Sequence, residues 1–211
     1  MKKIAFIGFG ILGNQILNYL EEEGEKVEYV IYDDILASKN IPEVKPFYGF
    51  KNNLVESYEY CICLGYKHLN LKNEIITFLE NKRINIFNYI HKTSYIHKSV
   101  NLGKGIIIFP GCIIEQNVSL GSGSILHNNV VISHNSRIDR CVYLSPSVTL
   151  SGFVKIGCCS FLGTGTLVSN YITIGSNTII GIGSVVTKDI SDNVSAIGNP
   201  IKILSKKLNI K

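Results

Sequence analysis

The chain has 211 residues, 45% of them hydrophobic, and 21 Lys plus Arg against 16 Asp plus Glu give a formal net charge of +5. So mild a charge, with no basic stripe interleaved with aromatics, argues against a nucleic-acid binder and fits an anionic small substrate or cofactor. The 19 Gly, the absence of Trp and the many Ile residues favour β structure, and the length suits two small domains. Part of the positive charge sits at the end, on Lys202, Lys206, Lys207 and Lys211. The cysteines Cys61, Cys63, Cys112, Cys141, Cys158 and Cys159 show no CxxC pairing, so they read as small, reduced, buried hydrophobes.

Lys2-Lys3 before Ile4 to Ile7 imitates a signal peptide, but Gly8, Gly10 and Gly13 interrupt the apolar run, so secretion is not expected. No stretch of about 18 apolar residues predicts a membrane span. Residues 3 to 9 read as a strand, the glycines follow in G-x-G-x-x-G spacing, and a helix is predicted from Leu12 to Glu23. A second strand over Val27 to Ile31 ends at Asp33-Asp34, about 20 residues past the last glycine, where such folds place an acid on a ribose hydroxyl. Further strands are predicted at Cys61 to Leu64 and Ile84 to Phe87, with a helix over Leu71 to Lys82 between them. This is an α/β, Rossmann-like unit over residues 1 to 90. It has room for about one mononucleotide half, so a nucleotide suits it better than a nicotinamide dinucleotide.

From Ile96 a strict period of six begins: Ile96, Leu102, Ile108, Ile114, Leu120, Leu126, Ile132, Ile138, Leu144, Leu150, Ile156, Leu162, Val168, Ile174, Ile180 and Val186. Four residues after most of these stands a small or β-branched residue, such as Val118, Ser136, Val142 or Ser184. Neither a helix nor hairpins produce such a period, whereas a three-sided parallel coil with three hexads to the turn does. Sixteen hexads predict about five coils, stacked at about 4.8 Å. Gly103, Gly121, Gly157, Gly163, Gly175 and Gly181 directly follow the aliphatic position, where the expected reason is relief of unusual turn dihedrals.

The hexad pattern resembles the left-handed parallel β-helix of hexapeptide acyltransferases, and the whole chain resembles the sugar acyltransferases that include sialic acid O-acetyltransferases and nucleotide 4-amino-sugar N-acetyltransferases. The resemblance implies a cytoplasmic homotrimer using acetyl-CoA and a sugar nucleotide, with residues 91 to 211 as the acyltransferase domain. It implies that the loop Gly8, Gly10, Ile11, Leu12 and Gly13 faces the diphosphate, Asp33 and Asp34 the ribose and base, and Gly65 the substrate. The family's usual Gly-His pair is Ile11-Leu12 here, and Tyr66 replaces a frequent Asn.

Acyl transfer needs a base and an oxyanion donor. His134, two residues past the axial Ile132, should project outward, and Ser133-His134-Asn135 matches the family's catalytic motif with Asn135 in place of an acid. Glu115 and Asp139 are the candidates to supply the missing carboxylate. The resemblance puts acetyl-CoA on Gly152, one coil beyond His134, on Tyr143 in place of a thioester-contacting histidine, along Thr164, Gly165, Gly181 and Lys188, and at the closing Gly198-Asn199-Pro200. A zinc site is not expected, because His127 and His134 fall on different faces and three ligands are needed.

Overall fold

The computed structural model describes residues 1–39, 44–206 and 208, so Lys207 and Lys211 lie outside the described residues. The chain divides into two units, Met1–Asn88 and Tyr89–Lys211.

In the first unit, four parallel strands, β1 (Lys2–Ile7), β2 (Val27–Tyr32), β3 (Val44–Lys45) and β4 (Glu59–Ile62), lie in the order β3-β2-β1-β4. The central β1 is buried over its last four residues, as the apolar run Ile4 to Ile7 dictates. The helices are α1 (Ile11–Glu22), α2 (Asp34–Ala37) and α3 (Leu69–Asn81). α1 buries Gly13, Ile16, Leu17 and Leu20, the spacing of one helical face. Three elements differ from expectation. The segment Ile84 to Phe87 contributes only the isolated bridge Tyr60 to Ile86, and α2 with β3 are additional elements too short to leave a periodic signal.

The second unit is a three-sided parallel solenoid. Sheet I runs from Tyr95–Ile96 through Val131–Ile132 to Val185–Val186, and its six strands count six coils. Sheet II runs from Asn101–Leu102 through Arg137–Ile138 to Thr173–Ile174. Sheet III begins at Tyr89–Ile90, earlier than the hexad count suggested, runs through Tyr143–Leu144, and closes with Ser195–Ile197 and the antiparallel Lys202–Ile203. Each strand pairs with the strand three hexads further on, as in Val131 with Thr149 and Ile132 with Leu150. Axial residues from Ile108 to Val186 are buried, with Ile96 and Leu102 packed half-buried against the core at the first coil. The residues four further on, such as Val142 and Ser136, fill the corners. Ser136 and Ser160 sit there dry because their hydroxyls donate to carbonyls of the next coil, Ser151 and Gly175.

The corners revise the expected role of glycine. The left-handed residue is the third after the axial position, from Gly105 and Gly111 through Asn117, Asn135, Phe153 and Tyr171 to Gly183. The glycines directly after the axial residue have ordinary φ. A Cβ on Gly121 would lie 2.5 Å from the carbonyl carbon of Asp139, and one on Gly157 2.5 Å from the Ser176 nitrogen. Coil-to-coil contact, rather than dihedral strain, requires them.

Candidate active site

His134 stands at the corner between sheets I and II. The buried Ile132, paired with Ile114 and Leu150, fixes the strand direction, and the chain then turns through Asn135 at φ 57°. Asparagine is among the few side chains that tolerate this backbone region well. The half-buried ring lies against the next coil, where a Cβ on Gly152 would be 2.8 Å from its Cε1, and Phe153 presents its ring edge-on at 5.3 Å. Asn135 Nδ2 donates to His134 Nδ1 at 3.1 Å, and Asn117 Nδ2, one coil earlier, donates to Asn135 Oδ1 at 3.1 Å. The two candidate carboxylates are engaged elsewhere. Glu115 Oε2 accepts the main-chain N–H of His134 at 3.0 Å, and Asp139 pairs with Arg137 at 2.9 Å. Amides therefore occupy the side of the imidazole where the resemblance led us to expect an acid.

Gln116, His134, Gly152, Asn170 and Lys188 hold the same corner position on successive coils, so Lys188 stands about 14 Å from His134 by strand spacing. The Gly152 amide donates to Asn170 Oδ1 at 2.9 Å, so Asn170 must yield before that N–H can meet an oxyanion. Gly152→Ala is expected to push the imidazole aside. A displacement of about 1 Å near the chemistry can lower kcat by about 10²-fold, and steady-state kinetics alongside thermal melting check that turnover falls while the fold persists.

Tyr143, Thr164, Gly165, Gly181 and Pro200 gather elsewhere, on sheet III and at its corner with sheet I. Gly165 is a left-handed turn residue with open space around it, Gly181 packs under Ile197, and Pro200 follows the strand Ser195–Ile197. The structure thus separates the expected donor residues into two sets that flank sheet I. The outward residues of that sheet are apolar except for Thr149, with Tyr95, Ile113 and Leu167 57%, 44% and 47% exposed, whereas sheet II presents Asn101, Ser119, Arg137, Lys155 and Thr173.

Tyr143 OH is 2.6 Å from His127 Nε2, whose ring stacks on Phe109 at 4.7 Å. Burial pushes His127 down from the ordinary 6.5 to about 4. The unfolded chain takes up this proton as pH falls through 6.5 and the folded chain only near 4, so the contribution is fully present above about 6.5 and is lost towards 4, by about 3 kcal/mol in all. Urea midpoints are expected to fall across this window, and His127→Gln to lose that part of the slope. Among the described residues no cluster of three or more His, Cys, Asp or Glu is placed to hold a metal.

In the first unit Gly8 takes φ +71° and Gly13 sits where a Cβ would be 2.8 Å from Phe9 Cδ2, so the turn runs close against α1. Gly10 caps α1 without a side-chain cap, leaving the helix N-terminus open to an anion. Asp33 accepts the Phe9 N–H through Oδ2 and the Leu36 N–H through Oδ1, and Asp34 Oδ1 accepts the Phe47 N–H. Both acids therefore shape the loops around the turn. Gly65 is extended, with open space around it, at the end of β4. A cavity of about 420 Å³ opens against Gly10 and Ile11, walled by Phe9, Asn14, Tyr29 and Leu36. Leu12 is outside its lining. Sequence reasoning missed Asn117 and Asn170, although the three-hexad register places them beside Asn135 and Gly152. It also missed Phe9 and Tyr29, whose rings stack only after folding.

No family model matches the sequence and no curated protein matches it. Solved structures do. Perosamine N-acetyltransferase from Caulobacter crescentus, in complex with CoA and GDP-perosamine, is 27% identical over 98% of this chain and 98% of its own, with a TM-score of 0.84. That structure and a companion each carry a replaced histidine. The acetyltransferase domain of PglB from Neisseria gonorrhoeae FA1090 is 25% identical over 97% of this chain and 100% of its own, with a TM-score of 0.86. WeeI from Acinetobacter baumannii AYE shares the fold at 20% identity, over 97% and 100%, with a TM-score of 0.84.

Proposed function

We infer that this chain, a hexapeptide-repeat protein of the sugar acyltransferase family, moves an acetyl group from acetyl-CoA to the amino group of a nucleotide-linked amino-deoxysugar. What carries the reading is likeness over 98% of the chain, both units included, to an N-acetyltransferase bound to CoA and GDP-perosamine. The first unit serves as a Rossmann-like nucleotide module. The diphosphate rests on the turn Gly8 to Gly13 at the N-terminus of α1, and the base enters the cavity beside Phe9 and Tyr29. Asp33 and Asp34 hold the walls, and Gly65 borders the sugar.

The solenoid, wound left-handed as the resemblance implies, carries the chemistry. The acceptor nitrogen attacks the acetyl carbonyl carbon, the C–S bond breaks, and the amine proton passes through His134 to the departing sulfur, leaving an amide and free CoA. Gly152 N–H, released by Asn170, is the oxyanion donor. The donor residues flank an apolar sheet in two sets, and a homotrimer packed through Tyr95, Ile113 and Leu167 brings the set at Tyr143, Thr164, Gly165, Gly181 and Pro200 of one copy to Gly152 and Lys188 of the next. Both substrates are cytoplasmic metabolites, and the free thiols of all six cysteines suit that compartment.

The test is thiol release from acetyl-CoA with a panel of GDP- and UDP-linked amino sugars. An amino sugar nucleotide is expected to be acetylated fastest. Turnover with sialic acid or another hydroxyl acceptor alone would move the assignment to O-acetylation, and NAD reduction without thiol release would overturn it.

A further inference from the structure

The amide orientation seen beside His134 matches the tautomer that cannot act as a base through Nε2. With Asn135 Nδ2 turned towards the ring, His134 Nδ1 is the acceptor, and the neutral imidazole compatible with that contact carries its proton on Nε2. The remaining lone pair is capped by an amide, and no nitrogen is free to take a proton. Asn135 Oδ1 in turn accepts from Asn117 Nδ2, which makes an unbroken line of two amides ending on the imidazole.

We infer that Asn117 and Asn135 act as a tautomer-setting pair for His134. Flipping both amides end for end exchanges oxygen and nitrogen in each and reverses each hydrogen bond. Asn135 Oδ1 then accepts from Nδ1–H, Asn135 Nδ2 donates to Asn117 Oδ1, and Nε2 is left free to take the acceptor's proton. In the better-known triad arrangement a carboxylate does this directly and permanently. Here the same end is reached by a neutral pair able to hold either pattern, with Asn117 as a positioning residue that never touches the substrate. The inference rests on reading His134 as the base.

Left-handed backbone alone favours asparagine at these corners, and Asn129 and Asn177 take the same conformation. What distinguishes Asn117 and Asn135 is the line of hydrogen bonds running into an imidazole. The nearby carboxylate, Glu115, is held on the main-chain N–H of His134 instead.

The experiment compares Asn117→Gly with Asn117→Asp, both of which tolerate the φ of 60° at that position. Asn117→Gly removes the outer amide and is expected to lower kcat about tenfold with the KM values unchanged. Asp at 117 can only accept, so it fixes Asn135 with Nδ2 outward and Oδ1 on the imidazole. Asn117→Asp is therefore expected to keep at least the parental kcat, and 15N spectra of histidine-labelled protein to show His134 protonated on Nδ1. Equal losses in both variants, or an unchanged 15N pattern in Asn117→Asp, would overturn the pair. His134→Ala separates the two readings: full activity there removes the base itself, whereas its inactivity beside two fully active Asn117 variants removes only the relay.

Discussion

Replacing His134 with alanine is expected to lower kcat by about 10²- to 10⁴-fold, the range that a positioned general base supplies. The side chain leaves from a corner rather than the core, so melting temperature and oligomeric state are expected to stay close to the parent. The KM for acetyl-CoA is expected to change little, because the imidazole acts on the proton of the acceptor rather than holding the donor. Single-turnover thiol release in the folded variant decides the matter, and a parental rate would remove His134 from the mechanism. The other solenoid histidines nearest in sequence are committed elsewhere. His127 is half-buried, stacked on Phe109 and bonded to Tyr143 at the neighbouring corner, and His97 bonds Ser99 two coils away.

The second large effect concerns the stacking of coils. Gly121→Ala puts a methyl group 2.5 Å from the carbonyl carbon of Asp139 and 2.6 Å from the nitrogen of Arg140, both main-chain atoms of the next coil. Neither can rotate away as a side chain would, so the variant is expected to lose about 3 kcal/mol, the upper range of overpacking. For a chain of this length that is about 6 to 12 °C in Tm. Gly183→Asn is the matched control, because Gly183 has φ +63° with nothing close to its missing Cβ. Asparagine suits that backbone, and the change is expected to stay within about 0.5 kcal/mol. A Tm of Gly121→Ala equal to that of Gly183→Asn would remove the contact argument.

These two glycines also mark how far the sequence reaches. Its period of six determined the solenoid, because one aliphatic residue per strand must be taken out of water and only a three-sided coil does so every sixth residue. The outward placement of His134 followed from the same phase, two steps past Ile132. The first unit was legible at β1, α1, β2 and α3, where apolar runs are long enough to carry a period. It was illegible at β3 and α2, whose two and four residues are held by contacts such as Asp33 with Leu36 rather than by pattern.

What the sequence alone could not decide was which atoms meet across coils. Glu115 and Asp139 were equal candidates on paper to partner the imidazole, and folding gave one to a main-chain N–H and the other to Arg137. Asn117 and Asn135 are distant along the chain and meet only because every third hexad returns to the same corner. Gly152 reads as an ordinary turn until the ring of His134 is laid over it. Periodicity is a property of solvent exposure and is written locally along the chain, whereas the direction of a hydrogen bond depends on the competition among all donors that the finished coil brings within reach.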